Sequence, residues 1–307
     1  MKRVIFCLLI GVAIIPQCRA GKNRLSGNFW DQYDSAERSR AADEIPPLTV
    51  AVEALGTPSE VSPVVAPVED LFRKNYWYLL LLDVKEVSTA PARWDRRDWL
   101  VLGGLTAGIG TVAVFDRQIE RAIRRNRTDA MTTFLHGVQP LGNEYAAGIM
   151  GAFYFAGEIF KDPRAKTTAL DSIAASAIAS GVMTNALKYT IGRARPIDGL
   201  GPYNFQPFGG HDSFSSGHTS EAFALASVIS EHYDTPWVKF ASYGLAGTVG
   251  YARLNNNRHW PSDVLSGAVI GTFVGKTVVH FNQKHRTIKL QPIVGPNVHG
   301  AELSMAW

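Results

Sequence analysis

Between residues 76 and 281, stretches of apolar residues alternate with short polar or Gly/Pro-containing breaks. Most of these stretches are 12 to 20 residues long, and their apolar positions recur with a helical period. They cover residues 76–87, 99–115, 145–160, 167–189, 221–232, 238–251 and 264–281. The pattern therefore predicts an all-α fold, a compact helical bundle that begins near Leu71.

Residues 1–20 are typical of a secretory signal peptide. Lys2 and Arg3 form a basic start, residues 4–15 are uninterruptedly apolar, and a small-x-small sequence ends at Ala20. The apolar run is too short to cross a bilayer, and a short membrane anchor that stays attached is the alternative. Cleavage would remove both cysteines, so the exported protein would have no disulfide and no cysteine nucleophile. We expect export to a bacterial periplasm or to the outer face of the inner membrane.

Three further segments follow this signal. Residues 21–70 are polar and then Pro-rich without a sustained helical period, which predicts a largely disordered linker. Residues 71–285 hold the apolar stretches and form the expected domain. Residues 286–307 show partial alternation on both sides of a Gly/Pro-containing turn, so this C-terminal extension is predicted to form a small β-hairpin.

The composition excludes several classes of protein. Hydrophobic residues make up 46% and charged residues 19%, which is too apolar for a disordered chain and too polar for a many-span channel. The formal net charge is +4, from 31 cations minus 27 acids. Residues 1–20 hold three cations and no acid, so cleavage leaves 28 minus 27, or +1, and no nucleic-acid partner is expected. Charges inside most apolar stretches favour a bundle on the outer side of a membrane, in contact with the membrane surface, over a fully embedded one.

Three polar clusters lie at the ends of predicted helices, and the first closes the stretch 167–189. Arg195 lies seven positions after Lys188, while Gly192 and Pro196 predict that the helix ends between them. Taken alone, this cluster is also an ordinary basic helix C-terminus, which complements the helix dipole. Nearby Arg193 is expected to be solvated or to face a phosphate.

The second cluster opens the helix of residues 221–232. Ser215 and Ser216 are candidate N-caps, Gly217 permits close approach of the backbone, and His218 follows directly. Free N–H groups at a helix N-terminus, with hydroxyls and an imidazole beside them, are typical of an oxyanion site.

The third cluster runs from Arg253 to Asp263. Pro261 suits the first position of a helix, which leaves His259 just outside it. Asp263 can then reach back over the helix N-terminus, accept the imidazole N–H and free the other nitrogen to act as a nucleophile. An Asp that merely caps a helix near a histidine is the alternative.

The three clusters together resemble the signature of the type 2 phosphatidic acid phosphatase (PAP2) and vanadium haloperoxidase superfamily. That signature reads Lys-x6-Arg-Pro, Pro-Ser-Gly-His and Ser-Arg-x5-His-x3-Asp, and the resemblance covers roughly residues 75 to 282. Ser215 stands where the family has proline, and Ala252 stands where it has serine. We expect the Ser215 hydroxyl to act as a cap and neither difference to affect a charged or nucleophilic role.

The resemblance implies a metal-independent phosphatase without a cofactor. It implies that His259 attacks phosphorus to form a phosphohistidine, that Asp263 orients His259, and that His218 protonates the leaving group and then activates water. The implied phosphate-binding residues are Lys188, Arg195, Arg253, Ser216 and Gly217. The favoured substrate is a lipid phosphate or diphosphate.

Other functions stay open. They are an exported acid phosphatase acting on small soluble phosphomonoesters, a vanadate-dependent haloperoxidase and a non-enzymatic helical membrane protein. A metal site built on His211, Asp212, His218, His259 and Asp263 is disfavoured, because the three nearby cations would oppose a divalent ion. His211 and Asp212 are expected to be ordinary loop residues.

Overall fold

The computed structural model describes residue 71, residues 74–295 and residues 298–305, which belong to one compact unit, Ala66–Trp307. The signal peptide and the linker predicted for residues 1–70 lie outside the described residues. The helices are α1 (Lys74–Thr89), α2 (Arg96–Val114), α3 (Asp116–Arg125), α4 (Asp129–Val138), α5 (Glu144–Ile159), α6 (Pro163–Ser176), α7 (Asn185–Ile191), α8 (Gly217–His232), α9 (Pro236–Asn255) and α10 (Pro261–Thr287). The all-α prediction for the bundle is confirmed.

A two-stranded antiparallel hairpin follows α10. Strand β1 (Ile288–Gly295) pairs with β2 (Val298–Met305), and the register sets Ile288 opposite Met305 and Gly295 opposite Val298. The hairpin lies in the C-terminal extension where the alternating pattern predicts it.

Capping side chains fix several helix starts. The Asp95 carboxylate accepts hydrogen bonds from the backbone N–H groups of Arg97 and Asp98, and the Asp98 carboxylate accepts one from Asp95 N in return. This capping box makes α2 begin three residues before the predicted apolar stretch, because charged residues of a first turn carry no apolar period.

Helices α6 and α7 are joined by a wide helical turn, Ala177–Thr184, so that the predicted stretch 167–189 is one helical path with a local π-helical segment. Thr184 Oγ1 donates to the Ala179 carbonyl oxygen at 2.8 Å and contacts Ser220 Oγ at 3.0 Å. The path ends at Gly192, whose φ of 57° is left-handed. A Cβ there would lie 1.8 Å from the Gln206 carbonyl oxygen, so this helix end requires glycine.

Helices α8 and α10 form the centre of the bundle. A Cβ placed on Gly267, Gly271 or Gly275 of α10 would lie 2.6, 2.2 or 2.7 Å from a backbone oxygen of the segment Ser216–Ala224. The two backbones therefore touch along three turns, and the N-termini of both helices lie at the same end of the bundle. The largest apolar cluster packs around this contact and includes Ile178, Val228, Val274, Val278 and Val279.

Helices α3 and α4 are not among the predicted helices. Six of the ten residues of α3 are charged, and its large apolar residues are Ile119 and Ile123. These two isoleucines nonetheless pack with Leu254 and Val264, and this contact holds the helix against the bundle. A short helix with so few apolar positions gives too weak a periodic signal to be predicted.

Helix α2 is apolar, and none of its residues is buried. Among the described helices, α10 is long and apolar enough over Pro261–Arg286 to cross a membrane. Half of its most apolar segment, however, is buried inside the protein. Helices α2 and α3 pass that test only as a pair, which is bent by 58°. A core helix of a soluble protein can pass the same test, so contact with a membrane remains a prediction.

Candidate active site

The predicted site residues converge at the end of the bundle where α8 and α10 begin. Gly217 starts α8, and a Cβ on it would lie 3.6 Å from Lys188 Nζ near the end of α7. Arg253 comes from the last turn of α9, and His259 from the loop before α10. The positive charges of Lys188, Arg195 and Arg253 all act on both His218 and His259. Four separate chain segments thus meet in one charged centre.

His259 is buried and held as a neutral imidazole. Its Nδ1 lies 2.8 Å from the backbone oxygen of Ser213, and because a carbonyl can only accept, Nδ1 carries the proton. Burial is the largest influence on the pKa of His259, and with the charges of Arg253 and Arg195 it holds this pKa well below its ordinary value. The Nε2 atom therefore keeps a lone pair available for attack.

Asp263 does not bind the imidazole directly, which corrects the sequence-based expectation. Its Oδ2 is 3.9 Å from His259 Nδ1, beyond hydrogen-bond distance. The same oxygen accepts hydrogen bonds from Ser213 Oγ at 2.5 Å and from Trp260 N at 2.8 Å, the latter being the predicted reach back over the helix N-terminus. Ser213 thus links the two groups, since its hydroxyl donates to Asp263 and its carbonyl accepts from His259.

Arg193 anchors Asp263 from the other side. Nη1 donates to Asp263 Oδ1 at 2.6 Å, Nη2 donates to Asp116 Oδ2 at 2.6 Å, and Nε donates to the Pro202 carbonyl at 2.8 Å. Ser262 also accepts from Arg193 Nη1 and donates to Asp116. Arg193 is only 2% exposed, so the expectation that it is solvated or faces a phosphate is wrong. Burial raises the pKa of Asp263 to about 6, against the lowering influence of Arg193.

The three cations predicted to bind phosphate form a cluster whose positive charge is only partly neutralised. They are Lys188, Arg195 and Arg253. Arg195 Nη2 donates to Asp212 Oδ2 at 2.6 Å, so Asp212 is a counterion of the site rather than the ordinary loop residue expected from the sequence. Burial, followed by the charges of Arg195 and Arg258, lowers the pKa of Arg253 to about 10. The Nε atoms of Arg195 and Arg253 are buried without a hydrogen-bond partner. Such a cluster provides charge and donors for an anion.

His218 lies beside the same cations. Burial is the main cause that lowers its pKa to about 4, and Arg253 adds to this effect while Glu144 at the start of α5 opposes it. Gly142 packs closely here, because a Cβ on it would lie 2.5 Å from the His218 carbonyl oxygen. His218 is thus neutral at pH 7 in the absence of an anion.

The turn before α8 holds the remaining predicted residues. The Phe214–Ser215 peptide bond is cis, and Ser215 occupies the position of the family's proline. The Ser215 hydroxyl is buried without a partner, so the expectation that it caps α8 is wrong. Ser216 is the N-cap residue, but its hydroxyl accepts from Thr219 Oγ1 at 2.8 Å instead of from the backbone. Its role and that of Gly217 in binding phosphate remain predictions.

The sequence contains weak signals for the supporting residues. Asp116 lies 77 positions from Arg193 in the chain and outside all three clusters. Ser213 is the first residue of the second cluster, but its sequence position does not indicate that it binds both Asp263 and His259. Among the described residues, no group of three or more His, Cys, Asp or Glu side chains is arranged to hold a metal ion.

Comparisons with curated proteins give partial matches to lipid phosphatases. A 98-residue segment is 44% identical to a lipid A 1-phosphatase of Porphyromonas gingivalis, covering 31% of this chain and 20% of that protein. A 122-residue segment is 33% identical to a lipid A 1-phosphatase of Rhizobium johnstonii, covering 37% of this chain and 48% of that protein. The chain thus spans between a fifth and about a half of these relatives.

Two solved structures are also similar. The LpxE structure from Aquifex aeolicus matches with a TM-score of 0.44 and 25% identity, covering 54% of this chain and 95% of that one. A PAP2-type phosphatidylglycerolphosphate phosphatase from Bacillus subtilis matches with a TM-score of 0.41 and 19% identity, covering 69% of this chain and 98% of that one.

The family profile described as the PAP2 superfamily matches residues 169–287. This segment contains all three polar clusters, from Lys188 to Asp263, and both central helices. The match to the PAP2 superfamily thus falls on the part of the chain that forms the candidate site.

Proposed function

We propose that this protein is a metal-independent phosphatase that removes phosphate from a lipid phosphate or diphosphate through a phosphohistidine on His259. The observation that carries the proposal is the meeting of a neutral, correctly protonated imidazole with Lys188, Arg195 and Arg253. The two buried, unpartnered Nε atoms of the arginines offer N–H donors to phosphate oxygens. The names of the curated relatives support a phosphorylated lipid as substrate, with the 1-phosphate of lipid A as the first to test.

The first half of the proposed reaction transfers the phosphoryl group to the protein. The lone pair of His259 Nε2 forms the N–P bond while the P–O bond to the lipid breaks. The bonding electrons leave with the lipid oxygen, which takes a proton from His218. His218 acquires this proton when the phosphate group binds, because the anion offsets the cations that lower the pKa of His218. Lys188, Arg195 and Arg253 stabilise the charge on the phosphoryl oxygens.

The second half restores the protein. His218, now neutral, accepts a proton from water as the water oxygen forms the new P–O bond. The N–P bond breaks, its electrons return to His259 Nε2, and inorganic phosphate leaves. Asp263, ionised above its pKa of about 6, supports the positive charge on the imidazole ring in the intermediate.

A trapping experiment tests this proposal. The purified full chain, in excess chelator, is mixed with ³²P-labelled lipid A 1-phosphate, phosphatidate, a polyprenyl diphosphate or a soluble aryl phosphate, and is then quenched in alkali. We expect turnover of a lipid substrate and an acid-labile, alkali-stable label on His259. Preferential turnover of the aryl phosphate would favour the soluble acid phosphatase instead.

Two histidine variants complete the test. His259→Ala should remove both the label and hydrolysis, whereas His285→Ala should leave both unchanged, because His285 is exposed at the far end of α10. Hydrolysis by a folded His259→Ala protein, or loss of hydrolysis in chelator, would contradict the proposal.

A further inference from the structure

Helix α3 presents a row of arginines that the proposed chemistry does not use. Its outward side chains Arg117, Arg121, Arg124 and Arg125 are exposed, while its two isoleucines face the bundle. We call these four side chains the arginine surface. Of the acids on the helix, Asp116 is buried against Arg193, and Glu120 contacts Arg124 Nε at 3.4 Å. The arginine surface therefore carries a net positive charge.

This arrangement is unfavourable for the helix by itself. Arg117 and Arg121 are four residues apart, as are Arg121 and Arg125, so like charges repel along one face. Arg117 also lies in the first turn, where the helix dipole disfavours a cation. A bound polyanion would relieve both costs.

The arginine surface is continuous with the proposed phosphate site. Just beyond α3, Arg127 Nη2 donates to Asn257 Oδ1 at 2.9 Å, and Arg127 Nε is buried without a partner. Asn257 adjoins exposed Arg258, whose charge acts on Arg253 within the site. Arg127 and Arg258 thus place two further cations between the cation cluster and α3.

Apolar side chains flank the other end of α3. Val114 and Phe115, at the junction with the exposed apolar helix α2, are 59% and 50% exposed. Tyr203 packs beside them, with its hydroxyl 3.2 Å from the carbonyl oxygens of both Ala113 and Val114. A basic helix beside exposed apolar and aromatic side chains is typical of a lipid-water interface.

We propose that the arginine surface docks on an anionic lipid surface and thereby turns the phosphate site towards lipid headgroups. The arginines at 117 and 125 are about 12 Å apart along the helix, too far for one phosphate group to bridge, which favours an extended surface of many headgroups. The inference rests on the proposed function in one respect, which is that the anionic lipid surface contains the phosphorylated lipid on which the protein acts.

Vesicle flotation tests the docking without any turnover. The purified full chain is diluted from neutral detergent onto vesicles of phosphatidylcholine alone, or with 30% phosphatidylglycerol, in 0.1 M NaCl. We expect tighter binding to the anionic vesicles and loss of this preference in 0.5 M NaCl. Each arginine near an anionic surface contributes about fivefold, so the triple variant R121Q/R124Q/R125Q should lose about 100-fold of the preference.

A matched variant controls for net charge. R96Q/R97Q/K161Q removes three exposed cations, two at the opposite end of α2 and one just after α5. It should keep the preference for anionic vesicles. If the triple α3 variant does not fold, the single variant R121Q should still show about a fivefold loss.

Three results would overturn the inference. They are equal binding of the parent chain to both kinds of vesicle, an unchanged preference in the α3 variants, and an equal loss in the control variant. Equal binding to both kinds of vesicle would instead indicate that the arginine surface binds an acidic protein partner. Because binding is measured without substrate, such a failure would not affect the proposed phosphatase activity, and an inactive protein could still dock.

Discussion

Replacing Arg193 by methionine would remove a buried cation while keeping an unbranched side chain of similar length. Arg193 lies between two buried carboxylates. Its Nη2 atom is 2.6 Å from Asp116 Oδ2, and its Nη1 atom is 2.6 Å from Asp263 Oδ1. The variant leaves both carboxylates without their cation, although Ser262 and Ser213 still donate to them. The first turn of α10 would thereby lose its ion pair with the loop after α7, while Ser262 would still bind Asp116 at the start of α3.

The expected loss of stability is large. Breaking a buried ion pair by removing one partner costs about 3–5 kcal/mol, which corresponds to about 6–20 °C in Tm for a domain of this size. The loss should also increase with pH. Burial already raises the pKa of Asp263 to about 6, so its contribution to stability is complete at low pH and is lost as pH rises through 6. Without Arg193, which lowers this pKa, the pKa of Asp263 rises further. The pH range over which the ionisation of Asp263 reduces the stability of the variant therefore extends to higher pH.

Thermal unfolding at pH 5 and pH 8, followed by tryptophan fluorescence, measures this effect. Arg195→Met is a matched control two residues away, because the Arg195–Asp212 pair is partly exposed, at 21% and 49%. It should cost less than about 1 kcal/mol in stability yet reduce hydrolysis by at least about 100-fold. A stable Arg193→Met variant, or one whose Tm deficit is smaller at pH 8 than at pH 5, would refute the reasoning.

Two further predictions concern the charges around the phosphate site. Inorganic phosphate should raise the pKa of His218 from about 4, because a bound anion offsets Arg253 and the other cations that suppress protonation. NMR titration of ¹³C-labelled histidines with and without phosphate measures this shift. An unchanged pKa of His218 would contradict the prediction. Asp212→Asn should lower the inhibition constant for inorganic phosphate about threefold, since one negative charge leaves the cluster. Asp234→Asn, an exposed acid outside the site, should have no effect, and a raised constant in Asp212→Asn would mean that Asp212 mainly positions Arg195.

The helical pattern of the sequence was sufficient to predict the bundle, whereas the meeting of the charged residues was implied by the resemblance of their motifs to the PAP2 signature. The helix starting at Pro261 and the helix end at Gly192 both follow from local backbone preferences, which need no knowledge of distant contacts. The motif spacing placed His218, His259 and the three cations at helix ends, and the structure brings these ends together.

The supporting network was not predictable in the same way. Arg193 binds Asp116 and Asp263, which are 77 and 70 residues away in the chain, so only the tertiary fold reveals the pairing. Asp263 was expected to contact His259 directly, but its oxygens are already used by Ser213, Trp260 and Arg193. Local spacing indicates which groups are near one another, whereas the choice of hydrogen-bond partner depends on every donor around the carboxylate.

The direct backbone contact between α8 and α10 has a consequence for how the reaction centre keeps its shape. His218 lies in the first turn of α8, and His259 immediately precedes α10, so main-chain contact at Gly267 and Gly271 sets the offset between proton donor and nucleophile. A side chain larger than glycine at either position would collide with the backbone of α8 and force the two helices apart. Such a substitution would therefore change the spacing of the two imidazoles from a distance, without touching either of them.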